Sequence, residues 1–190
     1  MDNELLNTEQ TTDAPKKEPL REIFSTIEML AFAAAAILLI FSFVARITVV
    51  EGGSMEETLL GGDRLIVSDL FYTPERGDIV IIHSPRVNGG EAIVKRIIAV
   101  EGDTVEIKAD GVYVNGEKLN ETDGSLGYTI DSYSYQPKAP QTIEKDKVFV
   151  MGDHRSVSLD SRSFGQVDES AVIGKVILRI FPLSSFGTVD

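Results

Sequence analysis

The chain of 190 residues contains no cysteine, two histidines and far fewer basic than acidic side chains. Without cysteine it forms neither disulfides nor thiolate metal sites, and two histidines argue against a His-rich metal centre. Its 18 Lys and Arg against 30 Asp and Glu give a net charge of −12. An acidic chain without a basic stripe is a poor candidate for nucleic-acid binding, so we expect neither a metal site nor a nucleic-acid partner.

One apolar segment is long enough to cross a bilayer. Residues 1–22 are polar and predict a disordered tail, whereas residues 23–45 are apolar. The charge-free part, residues 29–45, corresponds to about 25 Å of helix. A buried core helix is disfavoured because no polar face interrupts the run. A cleavable signal peptide is disfavoured because the run is too long and ends in a poor cleavage site. We expect a retained signal anchor, and basic residues before it slightly favour a cytoplasmic N-terminus with residues 46–190 outside the cell.

Beyond the apolar segment, short β-branched runs alternate with glycine-containing turn signals. Asp110-Gly111 lies between two such runs and is typical of a tight hairpin. Residues 120–142 are polar and rich in Tyr, Ser, Gly and Pro, and they predict a long excursion or insertion. The pattern indicates a mainly β fold: an antiparallel β domain attached to one N-terminal transmembrane helix.

Two side chains offer candidate chemistry. Ser54 follows a pair of glycines shortly after the apolar segment, and Lys95 stands in a β-like run further along the chain. A serine becomes an effective nucleophile when a nearby group takes its proton, and a lysine does this when apolar surroundings lower its pKa. Taken singly, the serine is an ordinary turn residue and the lysine an ordinary solvated strand end, so the pair is a hypothesis.

A third segment, residues 152–162, reads Gly-Asp-His-Arg-Ser-Val-Ser-Leu-Asp-Ser-Arg. Its density of charged and hydroxyl side chains, between a strand and Phe164-Gly165, indicates a hydrogen-bonded loop. A purely structural salt-bridge loop is the alternative.

Taken together and in this order, these segments resemble the membrane-bound type I signal peptidases. The family pattern has a Ser-Met-x-Pro-Thr box after the anchor, a Gly-Asp-Ile-Val strand, a Lys-Arg box ending in Gly-Asp, and a Gly-Asp-Asn-Arg…Ser-x-Asp-Ser-Arg box. The corresponding segments here are residues 54–59, 77–80, 94–103 and 152–162. The resemblance covers about residues 23–181, and the single anchor is similar to the form of Gram-positive bacteria. It implies the antiparallel β fold shared by signal peptidases and LexA-like proteins.

The resemblance also implies roles for individual residues. Ser54 would be the nucleophile, Lys95 its general base, and Ser158 the residue whose hydroxyl orients the lysine amine. The last box would supply a supporting ion pair of Asp160 and Arg162, with Asp153 and Arg155 in the same loop. The two shallow substrate pockets would be lined by Val50, Met55, Leu59 and Val94. Neither a metal ion nor an organic cofactor is required by this chemistry.

The chain departs from the family pattern at several positions. Glu57 replaces the usual proline, His154 replaces an asparagine, and residues 99–101 replace Gly-Leu-Pro. Gly52 stands where some relatives carry a serine that adds an oxyanion-hole donor. None of these changes touches the implied nucleophile, base or orienting serine. We expect them to affect substrate fit more than chemistry, and His154 to be a loop residue.

The expected activity is a membrane-bound serine endopeptidase that removes signal peptides from secreted preproteins, working beside the lipid bilayer. The family binds its substrate as an added strand with small side chains at alternate positions, which face the same way. Two alternatives stay open. One is a self-cleaving Ser–Lys regulator similar to LexA and UmuD, and the other is a non-catalytic, membrane-tethered binding paralogue. A Ser-His-Asp triad through His83 has little support, because His83 lies in a turn region.

Overall fold

The computed structural model describes residues 19–56, 58–121 and 135–189, which fall into two compact units, residues 1–41 and 42–190. Helix α1, Pro19–Val44, forms most of the first unit. Its segment Arg21–Leu39 is the only helix among the described residues that is long and apolar enough to cross a membrane. The helix begins inside the predicted tail, because proline suits a first helical position, where its missing N–H is not needed. The remainder of the tail, residues 1–18, lies outside the described residues.

The second unit is built from strands, as the pattern of short β-branched runs predicts. The described strands are β1 Arg46–Val49, β2 Arg64–Ser68, β3 Ile79–Ile82, β4 Ile93–Ala99, β5 Thr104–Lys108, β6 Gly111–Val114, β7 Glu117–Lys118, β8 Lys138–Thr142, β9 Lys147–Met151, β10 Val167–Asp168 and β11 Val172–Phe181. A one-turn helix, α2, spans Ser161–Phe164. The predicted mainly β fold with one N-terminal apolar helix is confirmed.

The strands form two antiparallel sheets. The first has the order β1-β2-β11-β3-β4-β9-β10, and the second has the order β7-β6-β5-β8. The predicted hairpin joins β5 and β6, but its loop consists of Ala109 and Asp110, with Lys108 opposite Gly111. Strand β6 therefore begins at Gly111, one residue earlier than a two-residue loop of Asp110 and Gly111 would predict.

The core lies on both sides of the central strands of the first sheet. Successive side chains of a strand point to opposite faces. On β3, Ile79 and Ile81 enter one cluster, whereas Val80 and Ile82 enter another. A third cluster fills the second sheet and includes Ile107. This burial on both faces explains why the central runs are almost continuously apolar.

The predicted excursion at residues 120–142 ends in a strand that the sequence did not indicate. Lys138–Thr142 is strand β8, an edge strand that pairs with β5. Its side chains are mostly exposed and Pro140 lies within it. An edge strand tolerates proline and needs no buried alternation, so the sequence carries no strand signal there. Residues 122–134 of the predicted excursion lie outside the described residues.

Candidate active site

The structure brings Ser54 and Lys95 together. Lys95 Nζ donates a hydrogen bond to Ser54 Oγ at 2.6 Å and another to the Val94 carbonyl at 3.0 Å. Lys95 is only 2% exposed. On β4 it stands directly opposite Val80, which is fully buried, and such cross-strand neighbours lie side by side. The Ser54 hydroxyl is therefore in direct contact with the amine of a lysine that is almost inaccessible to solvent.

Burial changes the acid–base behaviour of this lysine. It lowers the pKa of Lys95 from its ordinary value of 10.5 to about 8, because the ammonium loses its hydration. The carboxylates of Asp160 and Asp153 favour the charged form and limit the decrease, whereas the Arg162 guanidinium adds to it. The amine is thus close to the range in which a general base works at physiological pH.

Ser54 lies in a turn, residues 52–59, that is anchored by apolar side chains. Gly52 takes a positive φ of 76°, which favours glycine. After the serine, the Leu59 N–H donates to the Met55 carbonyl at 2.8 Å and closes one helical turn. Met55 and Leu59 are 1% and 0% exposed. We call residues 52–59 the Ser54 turn.

The four residues predicted to line the substrate pockets lie close together in this structure. Val50, Met55 and Leu59 all belong to one hydrophobic core cluster and are nearly inaccessible, and Val94 is only partly buried against it. Three of the four side chains point inward because they anchor the Ser54 turn to the sheet. That these residues line the two shallow substrate pockets stays a prediction, and of the four side chains Val94 alone is only partly buried.

Asp153 forms a buried ion pair with Arg96 of β4. Arg96 binds the Asp153 carboxylate with two hydrogen bonds, Nε to Oδ1 at 3.0 Å and Nη2 to Oδ2 at 2.8 Å. Thr58 Oγ1 donates to the same carboxylate at 2.5 Å. The pair ties loop 152–162 to β4 and to the Ser54 turn. Sequence analysis did not assign Arg96 a role, although it follows Lys95 in the Lys-Arg box and was visible there.

Arg155 binds a second carboxylate that sequence analysis missed. Its guanidinium pairs with Glu121, with Nη1 donating to Oε2 at 2.6 Å. Nη1 also donates to the Tyr135 hydroxyl at 2.6 Å, and Nε donates to the Gly152 carbonyl at 2.9 Å. Burial raises the pKa of Tyr135 to about 12, so the hydroxyl stays protonated. Glu121 and Tyr135 lie in the aperiodic segment 120–142, where no pattern marks a residue as buried.

The predicted pair of Asp160 and Arg162 is present at 2.8 Å. The Asp160 carboxylate also caps α2 by accepting from the Arg162 N–H at 3.1 Å, and it accepts from the Gly152 N–H at 3.1 Å. Arg162 in turn donates to the Arg155 carbonyl at 2.8 Å. These contacts fold loop 152–162 back on the end of β9.

Ser158 does not make the predicted contact with the lysine. Its Oγ is buried and, within the described part of the chain, has no hydrogen-bond partner. It packs against Gly152: a Cβ at that glycine would lie 2.3 Å from Ser158 Oγ and 2.4 Å from the Ser54 carbonyl oxygen. Lys95 instead donates to Ser54 and to the Val94 carbonyl. The glycine is required because the loop and the Ser54 turn meet at its Cα.

The departures from the family pattern fall at different distances from the serine. His154 contacts the Ser54 turn, since its backbone N–H donates to the Ser54 carbonyl at 3.1 Å. Ala99 is fully buried in the core of the second sheet. His83 is exposed after β3, where its N–H donates to the Ala171 carbonyl. Glu57 lies outside the described residues. Among the residues that are described, no cluster of three or more His, Cys, Asp or Glu side chains is arranged to hold a metal ion.

Comparison with known proteins identifies the family of this chain. The family model described as "Signal peptidase, peptidase S26" matches residues 23–181. Signal peptidase IB of Staphylococcus aureus (strain COL) is 35% identical over 184 residues, which is 87% of this chain and 93% of the relative. A probable signal peptidase I-1 of Synechocystis is also 35% identical over 184 residues, with coverage of 92% and 91%. A crystal structure of a signal peptidase I from Enterococcus faecalis V583 is 33% identical and covers 55% of this chain and 97% of that chain, with a TM-score of 0.45. The chain belongs to the signal peptidase family, peptidase S26, and is a serine endopeptidase of that family.

Proposed function

We propose that this chain removes signal peptides from secreted preproteins at a membrane surface, with Ser54 as nucleophile and Lys95 as general base. The observation that carries the proposal is the 2.6 Å contact between Lys95 Nζ and Ser54 Oγ, made by a lysine that is 2% exposed. A surface lysine beside a serine would be protonated and unable to accept its proton. A buried one is partly neutral.

The first half of the reaction forms an acyl-enzyme. Neutral Lys95 takes the Ser54 proton while Oγ attacks the scissile carbonyl, whose oxygen becomes an oxyanion. The Ser54 N–H, which makes no backbone hydrogen bond within the described part of the chain, is free to donate to that oxyanion. The resulting Lys95 ammonium gives its proton to the leaving amine, the C–N bond breaks, and the mature protein departs.

The second half is hydrolysis of the ester. Lys95, neutral again, takes a proton from water as the water attacks the ester carbonyl, and it returns that proton to Ser54 Oγ as the C–O bond breaks. The signal peptide leaves as a carboxylic acid. With a pKa of about 8, Lys95 is neutral in roughly one molecule in ten at pH 7. We therefore expect activity to rise with pH toward 8 and above.

The proposed membrane location rests on two features. The segment Arg21–Leu39 is apolar enough to span a bilayer. We propose that the anchor, residues 23–45, leaves residues 1–22 in the cytoplasm and the β domain on the other side of the membrane. In the β domain, Phe71 is 96% exposed and Ile47 67% exposed. Both lie near Arg46, the residue at which β1 begins, since Arg46 pairs with Asp69 at 3.9 Å. This apolar end is suited to contact with lipid.

The decisive experiment uses the full chain in detergent with a purified preprotein. We expect Ser54→Ala and Lys95→Ala to lower kcat/KM by more than about a thousandfold, the usual order for loss of a nucleophile or its base. Matched controls are Ser184→Ala and Lys145→Ala, two exposed positions of the β domain. Cleavage by either dyad variant at a rate near that of the parent would refute the dyad.

The alternatives give different outcomes in the same assay. A self-cleaving regulator would cut only its own chain, and a binding paralogue would bind preproteins without cutting any of several tested. Orientation is tested separately in sealed vesicles or whole cells. External protease should digest the β domain and spare a tag at residue 1, and the reverse pattern would refute the proposed topology.

A further inference from the structure

His154 makes three contacts with the Ser54 turn. Its backbone N–H donates to the Ser54 carbonyl at 3.1 Å. Its ring Nδ1 lies 3.2 Å from the Gly53 carbonyl oxygen and 3.1 Å from Glu56 Oε2. One residue of loop 152–162 thus holds the positions before, at and after the nucleophile. The resemblance to signal peptidases gave no such role to this position, which carries asparagine in the family pattern.

The two atoms that Nδ1 contacts determine which ring nitrogen of His154 carries a proton. A backbone carbonyl and a carboxylate are both acceptors, so the nitrogen between them must be a donor. Nδ1 therefore carries hydrogen, and this holds for the neutral ring and for the imidazolium alike. The Gly53 carbonyl then accepts two hydrogen bonds, from His154 Nδ1 and from the Glu56 N–H at 3.2 Å, which uses both of its lone pairs.

The turn is shaped to bring the Glu56 carboxylate to this nitrogen. A Cβ on Gly53 would lie 2.6 Å from Glu56 Oε1. The carboxylate therefore occupies the space that a side chain at Gly53 would fill, folded back over the turn toward His154. Gly53 does not have a positive φ. Its lack of a side chain, and not its backbone conformation, is what this arrangement uses.

We propose that His154 is a positioning residue that clamps the Ser54 turn through an Nδ1–H donor shared by the Gly53 carbonyl and Glu56. The proposal rests on the function proposed above, because its effect is on the alignment of Ser54 Oγ with Lys95 and the substrate. The side chains of His154 and Glu56 are 32% and 47% exposed, and such exposed pairs add little to stability. The clamp therefore acts on the turnover step and leaves folding almost unchanged.

Three substitutions separate a donor at the δ position from the other properties of the ring. His154→Asn keeps an N–H donor on the atom bonded to Cγ, where Nδ1 stands. His154→Gln moves the donor one carbon further out, and His154→Asp replaces the donor with two acceptors. We expect the Asn variant to keep kcat within about threefold of the parent. We expect the Gln and Asp variants to lose about ten- to a hundredfold in kcat with little change in KM, the usual cost of a small misalignment of reacting groups.

Two further variants test the residues of the Ser54 turn that contact His154. Glu56→Gln keeps an acceptor oxygen and should lose little, whereas Gly53→Ala displaces the carboxylate and should lower kcat in the same way as His154→Gln. Melting temperatures should stay close to that of the parent for the variants at position 154. If the Gln and Asp variants turn over like the parent, or if the Asn variant is as impaired as they are, the clamp is refuted.

A spectroscopic measurement tests the proton without reference to activity. The chain has two histidines, so ring ¹⁵N spectra of the full chain in detergent contain two sets of signals, and His154→Asn identifies the set of His154. We expect His154 Nδ1 to be protonated in the neutral ring, and a neutral ring protonated at Nε2 alone would overturn the assignment. Failure of the proposed function looks different: the parent would not cleave preproteins, or Ser54→Ala would still cleave them, whatever the tautomer of His154.

Discussion

Loop 152–162 and the Ser54 turn meet at the site, but different kinds of contact hold them. The loop is fixed by charged pairs that are almost completely buried: the side chains of Arg96 and Asp153 are 1% and 0% exposed, and those of Arg155 and Glu121 are 1% and 4% exposed. On the Ser54 turn the charged contact, from Glu56 to His154, is half-exposed. Removing one partner of a buried ion pair leaves the other charge buried without a partner, whereas an exposed pair that is broken leaves both groups hydrated by water. Among the charged contacts, those of the loop therefore contribute most to stability, and we propose that the one on the Ser54 turn serves positioning.

The largest effect that distinguishes the two regions should come from Arg96→Met. It leaves the Asp153 carboxylate buried without its cation, so we expect the free energy of unfolding to fall by about 3–5 kcal/mol. Chemical denaturation measures this. The matched control is Lys118→Met, which removes the exposed pair with Asp110 and should lower the free energy of unfolding far less. A double substitution with Asp153→Leu should recover part of the loss. Equal, small effects at Arg96 and Lys118 would remove the contrast between the two regions.

A smaller effect, of opposite sign, is expected from Lys95→Met. The unfolded chain keeps the lysine proton up to its ordinary pKa of 10.5, whereas the folded chain releases it near 8. Between these values the unfolded state binds more protons, so the lysine's contribution to stability rises with pH there and is least favourable below 8. At pH 7 the variant should be more stable by up to about 3 kcal/mol, while inactive. The parent-minus-variant difference, measured by denaturation from pH 7 to 10, should shrink as pH rises. A difference that is constant with pH would mean that Lys95 is not desolvated.

The smallest effect is expected at Ser158. Its buried hydroxyl makes no hydrogen bond within the described part of the chain, so Ser158→Ala removes no hydrogen bond and eliminates an unpaired polar group. We expect the free energy of unfolding to stay the same or rise by about 1 kcal/mol or less. A fall in the free energy of unfolding of more than about 1 kcal/mol would show that the hydroxyl is hydrogen-bonded in solution. With stability unchanged, any fall in kcat reports the orienting role that the family resemblance implies.

Much of the fold was predictable because it depends on local pattern. The apolar helix, the short strands and the β5–β6 hairpin follow from hydrophobic runs and turn residues in the chain itself. Strand β8 was not predictable, because an exposed edge strand with Pro140 needs no apolar alternation. The burial of Glu121 was not predictable for a related reason. It depends on Arg155, a residue far along the chain, and local periodicity does not indicate such a partner.

The sequence by itself determined the class of protein and named the residues proposed to carry its chemistry, since motifs specify side-chain types in a fixed order. It named Ser54 and Lys95, and it named the loop that lies beside them. Only the tertiary structure decided how these groups are paired. It paired Arg96 with Asp153 and left the Ser158 hydroxyl without a hydrogen bond to the lysine. It also buried three predicted pocket residues in the core and set His154 against the Ser54 turn. The physical reason is that a hydrogen bond or a desolvated charge depends on distances of a few ångströms between distant segments, which folding sets and the order of residues does not.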